Sequence, residues 1–389
     1  MSIRPVEPAS RKLLALDGGG IRGVITLEIL EEIERLLQGK LGRDDDFVLA
    51  DYFDYIAGTS TGAIIGSCLA LGMRVAEVSR FYEESGPSMF DKAGLIERFR
   101  RGKFRDEKLA ERLREVIQKE TCDAQATLGS PRLRTLLMIV LRNATTDSPW
   151  LISNNPAAKY NAATRANCNL HIPLWRLIRA STAAPTYFPP EVVSIGESEF
   201  IFVDGGVTMY NNPAFQLFLM ATTEAYNLGW PAGEKEMLLV SIGTGTDPKA
   251  NANLAPGQMN LIYNASSIPA ALMYAASNEQ DFLCRVFGKC LVGDPLDREV
   301  HNMIDARDLE KGFPGCKGPC EKLFTYLRYN AELSRTGLDA LALPEIEPSH
   351  VQQMDSVEFI SEMREVGRAV ARDRVRPAHF EGFTTQSLG

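Results

Sequence analysis

Two stretches of this chain combine glycine with residues that can attack a carbonyl carbon or move a proton. Gly58-Thr59-Ser60-Thr61-Gly62 satisfies the pattern G-x-S-x-G. Its glycines, Gly58 and Gly62, let a strand turn sharply into a helix and leave the Ser60 hydroxyl exposed at the helix N-terminus. Standing alone, the pentapeptide is unspecific, because glycine and serine are common. A serine hydroxyl is a poor nucleophile until a neighbouring base takes its proton, so a base must be found elsewhere in the chain.

Four histidines are available: His171, His301, His350 and His379. In the order serine, acid, histidine, a catalytic histidine would come late in the chain. His301, His350 and His379 sit in loop-like or helix-edge contexts without distinctive surroundings and read as surface or packing residues. Asp204, in the segment Phe-Ile-Phe-Val-Asp-Gly-Gly, is the better candidate. An apolar run delivers its carboxylate to a strand end, and Gly205 and Gly206 let the backbone turn closely there. A free aspartate, with a pKa of about 3.9, is a feeble base, so a desolvated pocket must raise it or bring it into contact with the serine. Taken by itself, an Asp-Gly pair reads first as a turn.

A third stretch is Asp17-Gly18-Gly19-Gly20-Ile21-Arg22-Gly23. Successive glycine N–H groups beside a helix N-terminus make an anion-binding concavity. In acyl transfer the anion is the tetrahedral oxyanion, and each donor aimed at it is worth a few kcal/mol. Gly18-x-Gly20-x-x-Gly23 also fits a dinucleotide fingerprint. About 20 residues beyond it, however, stands a polar loop, Gly-Arg-Asp-Asp-Asp-Phe, where that fingerprint needs an acidic residue closing a second strand. No cofactor is expected on this reading.

These residues need positioning elements. Residues 12–17 and 53–57 read as buried parallel strands, each closed by one of the glycine turns and followed by an apolar helix, from Val24 and from Ala63. Strand, glycine turn and helix, repeated, open an α/β fold, and ligands in open parallel sheets bind at the carboxyl ends of strands. Further strands are expected at 135–142, 200–203 and 237–242, with helices at 75–85, 106–120, 174–182, 213–228 and 352–373. Beyond about residue 250 the chain reads as loop-rich.

Composition narrows the function classes. With 389 residues, 45% hydrophobic and 24% charged, a large buried core is available. A net charge of -8 argues against a nucleic acid polymer as partner and against long-range attraction to anionic surfaces. No run of 18 apolar residues spans a membrane, and the first residues lack the apolar core of a secretory signal, so a cytoplasmic location is expected. The seven cysteines then read as reduced thiols. Cys316 and Cys320, after Cys284 and Cys290, are spaced poorly for zinc, and no metal site is expected. Gly94 to Lys108 concentrates Lys and Arg around Phe99 and Phe104, which suits either a solvated loop or a basic, aromatic lip that docks on lipid.

Taken in order, DGGGIRG, GTSTG, the segment Ala180 to Phe188 (ASTAAPTYF) and DGG at 204–206 resemble the patatin-like phospholipase family, over about residues 12–245. The resemblance implies a three-layer α/β/α sandwich with a mostly parallel central sheet, a Ser-Asp dyad without histidine, and hydrolysis of fatty acyl esters in membrane phospholipids or other lipids. Carried across motif by motif, Ser60 is the nucleophile and Asp204 the base. Gly18, Gly19, Gly20 and Arg22 frame the oxyanion site, and Gly23, Gly58, Gly62, Gly205 and Gly206 complete the motifs. The expected division is a tail at 1–11, a catalytic domain at 12–245, and a helical and loop-rich extension at 246–389 packed on it. Contact with the inner membrane would be transient and peripheral. Some bacterial relatives of similar length look like antiviral effectors switched on by a cyclic nucleotide, which adds a small-molecule activator to the implied partners. The alternative function is a lipid-binding or regulatory module with a vestigial dyad; the presence of every dyad element weighs against it.

Overall fold

The computed structural model describes residues 10–90, 95–162, 164–185, 188–248, 254–255, 257, 259, 261–296 and 321–384, leaving out the side chains of 87, 88, 90, 95–106, 261–266 and 269. Its strands are β1 (Arg11–Leu16), β2 (Tyr55–Thr59), β3 (Leu136–Asn143), β4 (Ser148–Ser153), β5 (Glu191–Ile195), β6 (Ser198–Asp204), β7 (Met237–Ile242), β8 (Lys289–Val292) and β9 (Thr325–Tyr329). Among the described residues they form one sheet in the order β5-β6-β3-β2-β1-β7-β9-β8, with β4 also paired to β3. Pairing is parallel from β3 through to β8, and antiparallel where β4 and β6 meet β3 and where β5 meets β6.

The helices are α1 (Gly23–Leu41), α2 (Thr61–Ala70), α3 (Val75–Phe90), α4 (Leu95–Thr121), α5 (Leu174–Ser181), α6 (Ala214–Thr222), α7 (Leu261–Phe287), α8 (Arg335–Ala340), α9 (Pro348–Gln352) and α10 (Ile360–Arg374). Successive strand residues point to opposite faces, so β1 sends Leu14 and Leu16 into one core and Leu13 and Ala15 into another. The first core packs the sheet against α1 to α5 and α10, and the second against α6 and α7. The molecule is thus a three-layer α/β/α sandwich with a mostly parallel sheet, and its central strands are apolar throughout because both faces are covered.

Several elements differ from the sequence expectation. β2 starts at Tyr55 and runs through Gly58 and Thr59, because its ladder continues through Leu16↔Gly58 and Thr59↔Val140. Phe53 lies in the core ahead of the strand, and Asp54 accepts the Lys12 N–H at 2.7 Å. The turn expected over 58–62 thereby shrinks to Ser60 alone. The expected helix at 213–228 ends at Thr222. The stretch from 246 onward, expected as a helical and loop-rich extension packed on the catalytic domain, supplies α7 to one layer and β8 and β9 to the sheet itself. Its last helix, α10, lies along α1, where Arg364 and Arg368 both bond the buried Glu28.

Candidate functional site

Strand register brings the two chemical motifs together. β4 pairs with β3 over Met138–Asn143 and fills one flank of that strand. β2 and β6 must therefore share the other flank. β2 runs parallel to β3 as far as Thr59↔Val140, and β6 runs antiparallel to it from Asn143↔Phe202 to Leu141↔Asp204. Two strands heading toward each other along one flank end at consecutive β3 residues. Ser60, just beyond one end, and Asp204, at the other, meet head on, and the Ser60 hydroxyl donates to Asp204 Oδ2 at 2.6 Å.

Ser60 is held in an unusual conformation, with φ 54° and ψ -120°, which costs a non-glycine residue roughly 1–3 kcal/mol. The bend projects its side chain from the N-terminus of α2, where the helix dipole favours developing negative charge. Ser181 fastens the bend from behind: its Oγ accepts the Ser60 N–H at 2.9 Å and donates to the Val140 carbonyl at 2.7 Å. Gly58 lacks a side chain for a visible reason, since a Cβ there would lie 2.1 Å from the Gly62 carbonyl oxygen at the start of α2.

Asp204 is buried, and burial pushes its carboxyl up to about 6, against the pull of three groups that favour the anion. These are the Ser60 hydroxyl, the Gly206 N–H, which donates to Oδ1 at 2.7 Å, and the nearby Arg179. A carboxylate so placed stays ionised at neutral pH, yet accepts a proton far more readily than a free aspartate. A hydroxyl and a desolvated carboxylate in direct contact can pass a proton without a third group.

The glycine loop crosses directly over this pair, for a Cβ on Gly18 would lie 3.2 Å from the Ser60 Cβ. Gly18 itself offers no free donor, because its N–H is bonded to the Asn211 carbonyl at 3.2 Å. Its own carbonyl accepts from the Thr244 hydroxyl at 3.0 Å. Among the described residues, the N–H groups of Gly19 and Gly20 have no acceptor. Gly19 is pressed against Thr244, whose Oγ1 stands 2.1 Å from where a Cβ would be. Arg22 turns its guanidinium onto the carbonyls of Gly19 and Gln352, at 3.5 and 3.1 Å, so it acts on the loop's backbone. Gly23 opens α1 against Thr61, and Gly205 packs on the Val140 carbonyl. β2, beside β1, ends in Thr59 and is followed by Ser60, where a dinucleotide site would carry an acidic residue.

With this geometry in view, the comparisons with known proteins converge. The family model of the patatin-like phospholipases matches residues 14–218. The chain belongs to the patatin-like phospholipase family. Patatin-17 of Solanum cardiophyllum is 33% identical over 252 residues, which is 60% of each chain. Patatin-T5 of Solanum tuberosum is 30% identical over 254 residues, again 60% of each. This patatin-like chain therefore spans 60% of the length of these curated relatives. Among solved structures it is similar to VipD from Legionella pneumophila, at 15% identity and a TM-score of 0.37 over 92% of this chain and 67% of that one.

The family match covers every motif residue singled out in the sequence. The other candidates lie elsewhere. His350 stacks on Phe359 and bonds Glu362, His379 bonds the Tyr329 hydroxyl, and His171 is exposed. His301, Cys316 and Cys320 fall outside the described residues, as do the side chains from Leu95 to Asp106 in the basic segment. Among the described residues no three His, Cys, Asp or Glu cluster as metal ligands, and no helix is long and apolar enough to cross a membrane.

Sequence reasoning missed several groups in this patatin-like site. Ser181 was visible within the segment 180–188, but nothing local marks it as the brace of Ser60. Asn211 stands between Gly18 and Gly206, with its Oδ1 buried and unpartnered among the described residues. Arg328, on β9, grips Asp17 at the base of the loop through two bonds of 3.0 and 2.6 Å.

Proposed function

We propose that the protein is a serine lipid acyl hydrolase that cleaves fatty acyl esters of membrane phospholipids, with Ser60 as nucleophile and Asp204 as its base. The observation that carries this reading is the 2.6 Å contact between the Ser60 hydroxyl and Asp204 on a strained elbow. As Oγ attacks the ester carbonyl carbon, its proton passes to Asp204 Oδ2. The carbonyl oxygen becomes an oxyanion, held by the Gly19 and Gly20 N–H groups and the N-terminus of α2. Collapse of that intermediate breaks the bond to the leaving alcohol, which takes the proton from Asp204. Water then attacks the acyl-serine and gives its proton to Asp204; collapse releases the fatty acid and returns the proton to Ser60.

Contact with membrane is transient on this reading, through the basic and aromatic segment Gly94 to Lys108, and a small-molecule activator such as a cyclic nucleotide regulates it in the cytoplasm. The direct test is to incubate the pure protein with mixed phospholipid vesicles, with and without cyclic nucleotides, and weigh the products. Free fatty acid and lysophospholipid, absent with Ser60→Ala, are expected. Their absence under every condition would defeat the proposal.

Two further expectations concern the site's parts. Because Asp204 must be ionised to act, kcat/KM on a soluble ester should fall below a pH of about 6, reaching about a tenth of its plateau one pH unit lower. A flat profile from pH 5 to 8 would remove Asp204 as the base. Gly19→Ala forces a Cβ onto Thr244 and shifts a donor that serves only the oxyanion. It should lower kcat by about 10²–10³ while KM moves little; an equal rise in KM alone would assign the loop to substrate binding.

A further inference from the structure

Beside the dyad the surface carries large apolar side chains that fold into no core. Val207, Met209 and Leu272 are 36%, 53% and 64% exposed. With Pro149, Met273 and Ala276 they line a trough of about 450 Å³ between the loop after Gly206 and one face of α7. Its inner end lies beside the chemistry: the Met273 methyl lies 3.4 Å from where a Gly206 Cβ would be, and the Gly206 N–H holds Asp204. One turn further along α7, Ser277 meets the Asn211 amide, which flanks the glycine loop.

We propose that this trough binds the fatty acyl chain of the ester, with Met273 at its junction with the dyad and Met209 and Leu272 setting the chain length it accepts. The proposal rests on the hydrolase reading and adds a specificity site to it. Three observations select an acyl chain as the occupant. The trough adjoins Asp204 through Met273 and Gly206, so a chain attached to the reacting carbonyl has a short path into it. Its charged groups, Arg142 and Asp147, neutralise each other at 2.5 Å, so the lining has nothing to hold an ionic ligand and much to hold a methylene chain. Its volume falls in the range of small-molecule sites, and an exposed apolar patch at the mouth of a polar site marks binding. The α7 wall lies beyond residues 14–218, outside the family match.

The test uses soluble esters from acetate to laurate, below their aggregation concentrations, so that no lipid surface takes part. Each methylene that enters the trough should raise wild-type kcat/KM by roughly fourfold, the equivalent of about 0.8 kcal/mol. A Met209→Asp, Leu272→Asp double variant should cut the laurate-to-acetate ratio at least tenfold. Both positions are exposed, and a thermal melt checks the fold. Leu272→Trp, which fills the trough without adding charge, should move the preferred chain to a shorter length and guards against a folding artefact in the double variant. If wild-type enzyme prefers long chains and both variants keep that preference, the trough is not the acyl site, while the hydrolase reading stands. The same variants assayed on phospholipid vesicles supply the contrast: loss confined to vesicles would also overturn the proposal and make this face a membrane-docking surface. If Ser60→Ala still hydrolyses the esters, the hydrolase reading itself fails, and the trough loses its occupant with it.

Discussion

Ser60→Ala and Asp204→Asn are each expected to reduce ester hydrolysis by at least about 10³–10⁴-fold, and the double variant no further, because a nucleophile and its base act as one unit. The two substitutions should part company in stability. Raising Asp204 from its ordinary 3.8 to about 6 means that the buried anion costs on the order of 3 kcal/mol at neutral pH. Asparagine has nearly the same shape, keeps an acceptor for the Gly206 N–H and carries no charge, so Asp204→Asn should melt higher than wild type at pH 7. The direction with pH follows from which state holds the proton. Between about pH 4 and 6 the folded protein keeps a proton that the unfolded chain has lost, so wild-type stability falls as pH rises through that window. The advantage of Asp204→Asn should therefore be absent near pH 4, grow toward pH 6 and then level off. Urea unfolding at pH 4, 5, 6 and 7 measures it directly. An inactive variant that is no more stable at pH 7 would mean that Asp204 is not desolvated as the geometry requires. A fully active Asp204→Asn alongside an inactive histidine variant would replace the dyad with a triad.

This trade between stability and chemistry explains why the motifs were legible and their surroundings were not. β1, β2, β3 and β7 read from sequence as unbroken apolar runs because helices cover both of their faces. Ser60 and Asp204 stood out as candidates because glycines flank the first and follow the second where the backbone bends. Their meeting was not legible, since it depends on β2 and β6 sharing one flank of β3, a matter of register between segments over a hundred residues apart. β5, at the sheet's edge, alternates exposed and buried residues with two glutamates nearby, and gives only a weak strand signal. α7 follows a loop-rich stretch and contains Pro269, which normally marks a break. β9 was missed for the most specific reason: its sequence, Thr-Tyr-Leu-Arg-Tyr, places an arginine where a buried strand should be apolar, and the partner that permits it, Asp17, is 311 residues away.

Breaking that same buried pair should be costly, because it strands a charge in the core. Asp17 and Arg328 are 5% and 4% exposed, and Arg328 also donates to Ser241 Oγ at 2.7 Å. Burial raises the Asp17 carboxyl, and the Arg328 guanidinium is the main force opposing that rise. Arg328→Met fills the space and leaves a buried carboxylate uncompensated, for which the expected loss is about 3–5 kcal/mol. Adding Asp17→Asn removes the stranded charge and should restore most of the loss, a coupling that two independent sites would not display. The single variant should also acquire a pH dependence. Without arginine the folded-state pKa of Asp17 climbs further above its unfolded value, so stability must decline with rising pH through that interval, and the deficit should be smaller at pH 5 than at pH 8. Because Asp17 closes β1 and leads into Gly18, activity at a temperature where the variant is still folded reports on the loop separately. It should fall through kcat, as the Gly19 and Gly20 donors drift, and recover only in part in the double variant. Denaturation of all four proteins at pH 5 and pH 8 completes the cycle. A loss below about 1 kcal/mol for Arg328→Met, or simple additivity with Asp17→Asn, would mean that the buried pair does not hold the base of the glycine loop.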